Sequence, residues 1–387
     1  MQNDRIEWLS GPERVRRRPA VVFLSDGLEG AQCAVRSLLK IFVEEARLGY
    51  CKQLKIKQSG EYLEISGNDR GIYLGQDRGT DEIWQKLFCQ LDTPSAFPRG
   101  LYDDPMDDTD KVHHILYGDK PTDDDDSWNL EIYAIVCACR DMEVQVNRNG
   151  ICSMLRFDRG LNIGGICNQP VAGENGTSFR FTLDPEVFKK TQIPESFFLK
   201  NLETFSILIP GLTCTYENAE GVETEFCCPK GAQTYIERKN SGSVYCAKME
   251  EKGRERYNSV EYKAYVELAM GYTPNAGEIK CYHNFDVLAG GSHLEVLQKQ
   301  LRDGLNICFG TNLTLEEIRK HLTLILTTRC KPPFTVWRNG TRQAIENRLI
   351  TEMTQDILAG AFEDYLYEHK GVYQGLVDKV MAKRGTT

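Results

Sequence analysis

Residues 29–48 set the strongest condition on how this chain folds. Ala31, Ala34, Val35, Leu38, Leu39, Phe42 and Ala46 recur there at helical spacing, and Gly49 offers a C-terminal stop. The period then changes. Residues 52–57 and 61–66 alternate as a strand pair around Ser59-Gly60, and Asn68-Asp69-Arg70-Gly71-Ile72 follows as a loop.

Further along, residues 81–91 read as a short helix around Ile83, Leu87 and Phe88. Residues 92–127 have no periodicity, and ten aspartates fall between Asp103 and Asp126, with Lys111 and Lys120 as the basic residues there. A loop this long inside a domain is functional or disordered. Residues 128–140 are apolar, with strands expected at 142–147, 151–157 and 177–183, then a helix at 197–209 running into a strand. A second compositional unit starts near Gly231. It reads as strands at 243–249, 259–270 and 278–285, a helix at 293–307 after Gly290-Gly291-Ser292, and a strand at 321–329. Long helices are expected at 342–368 and 371–383. The expected domains are therefore 1–230 and 231–387.

The 387 residues carry a net charge of −9, so non-specific DNA binding through a basic surplus is not expected; any DNA contact is local or through a partner. No apolar run of transmembrane length occurs, and the opening residues hold no signal-peptide core, which points to a cytoplasmic or nucleoid location. The fourteen cysteines include Cys137-x-Cys139 and Cys227-Cys228, neither of which has structural-zinc spacing. They read as reduced thiols packed as small hydrophobes.

Five stretches, in order, resemble the N-terminal region of DNA gyrase B and its topoisomerase IV relative. Leu9 through Pro19, with Arg14-Val15-Arg16-Arg17-Arg18, resembles the family's valine-arginine-basic-arginine-proline opening. Gly30 through Lys52 resembles the first ATP-site helix, and Asn68 through Ile72 the Asp-x-Gly-Arg-Gly-Ile loop. Asn175-Gly176-Thr177-x-Phe179-Arg180-Phe181 resembles the Gly-Thr strand at the back of the nucleotide pocket. Gly290-Gly291-Ser292-His293-Leu294 resembles the Gly-Gly-Thr-His turn of the transducer. The resemblance implies an α+β chain: a GHKL (Bergerat-type) ATPase-like α/β sandwich followed by an S5-like transducer domain with long C-terminal helices. No Glu-Gly-Asp-Ser motif of the TOPRIM kind occurs, so no cleavage-metal site is expected.

The positions that handle ATP in the family carry different chemistry here. Hydrolysis needs a base for water, a metal on the phosphates and donors around the γ-phosphate. The base position is Ser37 and the magnesium-ligand position, one turn on, is Ile41, with Lys40 between them. A serine hydroxyl is no base at neutral pH, and isoleucine cannot ligate a cation that demands oxygen. Under a shifted alignment Glu44 or Glu45 could take the base role; otherwise they are a solvated helix end or a fold-maintaining contact. Asn68 stands where an aspartate accepts the adenine amino group. Its carbonyl could still accept one hydrogen bond, and it is equally a good turn residue. Arg70, Gly71 and Thr177 are retained, and Arg70 is expected to bridge to an acidic residue, as its family counterpart does.

The glycine-rich phosphate loop matches Asp126-Ser127-Trp128-Asn129-Leu130-Glu131-Ile132, which has no glycine where backbone must approach phosphate closely. Each of the aspartates Asp123 to Asp126 before it would cost a bound triphosphate on the order of 1 kcal/mol. The transducer's Gln-x-Lys loop aligns with Trp337 and Asn339, with Arg338 or Arg342 as possible substitutes in charge. Joint loss of base, metal ligand, phosphate loop and sensor lysine points away from catalysis and from a magnesium site. No cofactor is expected, although weak ATP or ADP binding stays open. The expected role is binding to a protein partner, either itself as a dimer or a topoisomerase-like subunit. An active ATPase with divergent motifs and a pocket for another small ligand are the alternatives.

Overall fold

The computed structural model describes residues 11–75, 82–90, 132–240, 242–254, 261–273, 276–330, 334–338, 343–359 and 361–384. The acidic stretch at 92–127, Leu130 and Asn339 lie outside them. The described chain forms two compact units that part between Cys227 and Cys228.

Among the described residues the first unit opens with two short helices, α1 (Gly11–Arg17) and α2 (Pro19–Phe23), where the sequence shows a basic cluster. The long helix is α3 (Leu28–Arg47), and its apolar stripe is buried as the spacing requires. It leads into a hairpin, β1 (Gln53–Ser59) and β2 (Tyr62–Gly67), paired residue for residue from Leu54↔Gly67 to Ser59↔Tyr62. Then come α4 (Ile83–Cys89) and α5 (Ile132–Ala138). Every residue of α5 is buried, which accounts for the unbroken apolar run there. It passes directly into β3 (Cys139–Arg148), so the strand expected at 142–147 starts three residues early.

The sheet adds β4 (Ile151–Asp158), β5 (Leu161–Asn162), β6 (Cys167–Pro170), β7 (Gly176–Leu183), β8 (Thr213–Glu217) and β9 (Glu223–Cys227). Its order is β5-β4-β3-β7-β2-β1-β8-β9, with β6 on β4. Strand β8 pairs parallel with β1 and is reached from β7 through helix α6 (Glu195–Leu208), whose Phe198 stacks on Tyr216 of β8 at 5.6 Å.

Helix α3 lies close on this sheet. Phe42 meets Phe179 of β7 edge to face at 6.0 Å. That approach depends on Gly67 at the end of β2, because a Cβ there would come within 2.5 Å of the Phe42 ring and 3.2 Å of Cys51 Sγ. Gly67→Ala is expected to overpack the joint and lower stability by about 1–3 kcal/mol; an unchanged denaturant midpoint would show that the ring can move aside freely.

The second unit holds α7 (Ala232–Lys239), then β10 (Tyr245–Arg254), β11 (Glu261–Tyr272), β12 (Glu278–His283) and β13 (Asp286–Leu288). After β14 (Gly290–Gly291) come α8 (Ser292–Phe309), α9 (Leu315–Arg319) and β15 (Leu322–Cys330). The sheet order is β10-β11-β15-β12-β13. Alternate residues face opposite sides. Leu268, Met270, Leu324 and Leu326 join Leu297, Leu301 and Leu305 of α8 in the core, whereas Gly271 faces Ile236 and Asn240 at the end of α7.

The single long helix expected at 342–368 is not what forms. A short strand, β16 (Ala344–Ile345), pairs with β14. Two helices follow, α10 (Arg348–Asp356) and α11 (Ala361–Glu368), then α12 (Lys370–Arg384). Asn347 sets the late start: its side-chain oxygen accepts from the Ile350 amide at 3.1 Å as an N-cap. No helix among the described residues is long and apolar enough to cross a membrane.

Candidate functional site

The loop after β2 is held by nearly every residue the sequence marked. Asn68 Oδ1 accepts from the Lys52 and Gln53 amides, both at 2.8 Å. Its acceptor therefore pins the start of β1 to the end of β2, and that bond is local architecture rather than an outward-facing receptor. Asp69, 2% exposed, accepts from the Gly71 amide at 3.2 Å. Arg70 donates to both oxygens of Glu45, at 2.7 and 3.0 Å, and lies 4.0 Å above the Tyr50 ring. Gly71 has φ +76, and a Cβ there would sit 2.5 Å from the Asn147 carbonyl. Its own carbonyl accepts from Arg148 at 2.7 Å. Ile72 donates its amide to Thr177 Oγ1 at 3.2 Å, and Thr177 is buried in β7.

Three retained residues are thus brought together: Arg70, Gly71 and Thr177 tie the loop to α3, β3 and β7. The expected Arg70 bridge forms, and its partner is Glu45. Both glutamates of the shifted alignment are held by arginines. Glu45 has both oxygens in a buried bidentate pair, and Glu44 accepts from Arg47 at 2.7 Å.

On α3, at the positions aligned with the family's base and metal ligand, Ser37 is half-buried and Ile41 is 2% exposed. A magnesium ion needs oxygen ligands and keeps several waters. A fully enclosed aliphatic side chain at the ligand position offers neither, so the residues present do not fit a metal there. Ile132, the last position aligned with the family's phosphate loop, is a 1% exposed core residue at the start of α5. Among the described residues no three His, Cys, Asp or Glu side chains gather as a metal site.

In the second unit, Trp337 lies edge-on to His283 at 6.0 Å and bridges to Ile345, so it is part of that unit's own packing. Arg338, a possible substitute for the sensor lysine, is paired with Glu295 at 2.7 Å and with Glu346. These two carboxylates raise its pKa further above the ordinary guanidinium value.

The family pattern assigns Asp69 no role. It is the buried carboxylate of the loop, one residue beyond the position assigned to base recognition. Burial, and next the Asp69 charge, push the neighbouring Cys51 thiol up to about 12, so that thiol stays protonated. An acidic residue directly before Arg-Gly in a loop after a strand was the available signal.

A family model described as DNA gyrase B matches residues 231–386. The DNA gyrase B protein of Metamycoplasma hominis is 24% identical, covering 99% of this chain and 59% of that protein. The Thermotoga maritima gyrase B protein is 22% identical, covering 98% and 59%. The chain thus spans less than two thirds of the length of these relatives. Among solved structures, the 43K ATPase domain of Thermus thermophilus gyrase B in complex with an aminocoumarin matches with a TM-score of 0.72 at 18% identity, covering 98% of this chain and 97% of that one. The topoisomerase IV ATP-binding domain of Francisella tularensis, bound to a small-molecule inhibitor, gives 0.66 at 14% identity, covering 97% and 98%. The chain is therefore similar to the N-terminal ATPase-plus-transducer region of DNA gyrase B, and its fold is of that GHKL-like kind.

Proposed function

We propose that this gyrase-B-like region acts by binding and does not turn over ATP. The observation that carries this reading is Ile41: the place for a metal ligand is a 2% exposed aliphatic side chain. The engaged state of Glu45 supports it, because that carboxylate is already committed to Arg70. The binding partner is a protein, either a second copy or a topoisomerase-like subunit, with DNA reached locally or through that partner. The net charge of −9 favours this over a general DNA-binding role.

Phosphate release by the purified chain is expected to stay at background with ATP and magnesium. Calorimetry is expected to show no magnesium-dependent nucleotide binding. Saturable, magnesium-dependent turnover would reject the reading and establish the alternative of an active ATPase. A weaker reading has its own support in Asp69. A buried carboxylate beside Gly71 and Thr177 could accept an adenine amino group, leaving metal-independent binding of ATP or ADP. Heat of ADP binding that vanishes in Asp69→Asn identifies that case. A pocket for another small ligand in the same place would show as binding of that ligand where ADP gives no heat.

A further inference from the structure

The basic run at the start of the chain is divided by the fold. Arg16 turns inward and donates to Asp184 at 2.8 Å, Glu186 at 2.9 Å and the Cys137 carbonyl at 3.1 Å. Arg14, Arg17 and Arg18 remain exposed, with Arg17 placed 3.4 Å from Glu13. Directly beyond them, Val21 of α2 and Leu24 at its C-cap are exposed, at 78% and 84%. These are the two most exposed large apolar side chains among the described residues. Between them Phe23 is 4% exposed and meets Phe188 edge to face at 5.3 Å, so the short helix is fixed in place.

Leu24 is unfavourable there on two counts. Its φ is 65, a left-handed conformation that a leucine rarely adopts, and its side chain is bare to water. Glycine would relieve both. Backbone strain of this kind gathers at sites where a side chain is used.

We propose that Arg14, Arg17, Arg18, Val21 and Leu24 form a docking surface for an acidic protein segment with an aliphatic or aromatic anchor. Charge selects the occupant: three exposed guanidiniums favour carboxylates, and the fixed guanidinium fork pairs with them well. Val21 and Leu24 select a protein over a nucleic-acid backbone, because phosphate contacts make no use of two bare aliphatic side chains. The helix held by Phe23 is pre-organised, which limits the ordering cost of binding. This surface deepens the binding role proposed above and rests on it for its biological sense. The two fail separately, since nucleotide titration reads one and peptide binding the other.

The test uses the full chain and a displayed random-peptide library. Enriched peptides are expected to carry Asp or Glu beside Leu, Ile or Phe, and the affinity of a synthetic enriched peptide is expected to fall with added salt. Leu24→Gly should weaken that peptide by about ten-fold or more, while its own thermal midpoint stays level or rises as the backbone strain is relieved. The paired change Arg17→Glu with Arg18→Glu should weaken it as well. Absence of acidic enrichment, or equal binding by L24G, overturns the proposal. It is also overturned if the surface prefers phosphatidylserine vesicles, or if light scattering finds a dimer that L24G dissolves.

Discussion

Arg70→Ala is expected to destabilise the first unit by about 3–5 kcal/mol, because it leaves the Glu45 carboxylate buried without its cation. The Glu45 side chain is 2% exposed and the Arg70 side chain 25%. That inequality makes the two halves of the pair unequal when cut. Losing Arg70 strands an anion that water cannot reach, whereas Glu45→Gln strands a guanidinium that water partly reaches and that still lies over Tyr50. The glutamine variant should therefore lose about 1–3 kcal/mol. Urea midpoints at neutral pH read both losses. Equal losses for the two variants would show that the pair is solvated and does not lock the loop.

That pair shows how far the sequence could be read. Arg70 and Glu45 matched their family positions, and the apolar stripe of α3 is a periodic signal that survives in one dimension. The role of Asn68 was not legible. Its partners are the backbone amides of Lys52 and Gln53, which come near only after the hairpin closes. Asp69 was passed over for a similar reason, since burial is a property of the closed fold and a loop aspartate reads equally well as solvated. The helix expected at 342–368 failed at Asn347, an ordinary polar residue in the sequence and an N-cap once the chain turns there. Helix α2 was hidden by its composition: Val21 and Leu24 look like core residues, yet they face water.

Between pH 6.5 and 4 the second unit is expected to lose stability steeply through two buried histidines. His283 donates and accepts within a closed set, Nδ1 with Thr328 Oγ1 at 2.9 Å and Nε2 with Thr335 Oγ1 at 3.0 Å. His293 Nε2 lies 3.2 Å from Cys281 Sγ, a thiol that burial pushes up to about 12. Burial, then repulsion from His293, lowers His283 to about 3; burial, against the pull of Glu295, lowers His293 to about 4. In the unfolded chain both titrate near the ordinary value of about 6.5. Below that pH the unfolded state takes up protons that the folded state refuses, so stability falls as pH drops, at about 2–3 kcal/mol per pH unit near pH 5 for the two together. The loss stops accruing as each folded-state pKa is passed, His293 first. By about pH 4 each has removed roughly 3 kcal/mol, a sum comparable to the whole stability of a typical domain. The low carboxylates begin to contribute only in the lower part of this range. Against burial, hydrogen bonds from Lys239, Lys280 and Tyr235 hold Glu278 down to about 2, and Arg384 does the same for Glu317. Their stabilisation is present above the ordinary carboxylate pKa of about 4.3 and is lost as pH falls toward 2. Hydrogen exchange at β12 and β15 places the loss in this unit, and urea midpoints measure its size. His293→Gln should halve the slope near pH 5, because one of the two refused protons disappears from the difference. A flat profile from pH 6.5 to 4, or a slope indifferent to His293→Gln, would mean that both imidazoles reach water in the folded state.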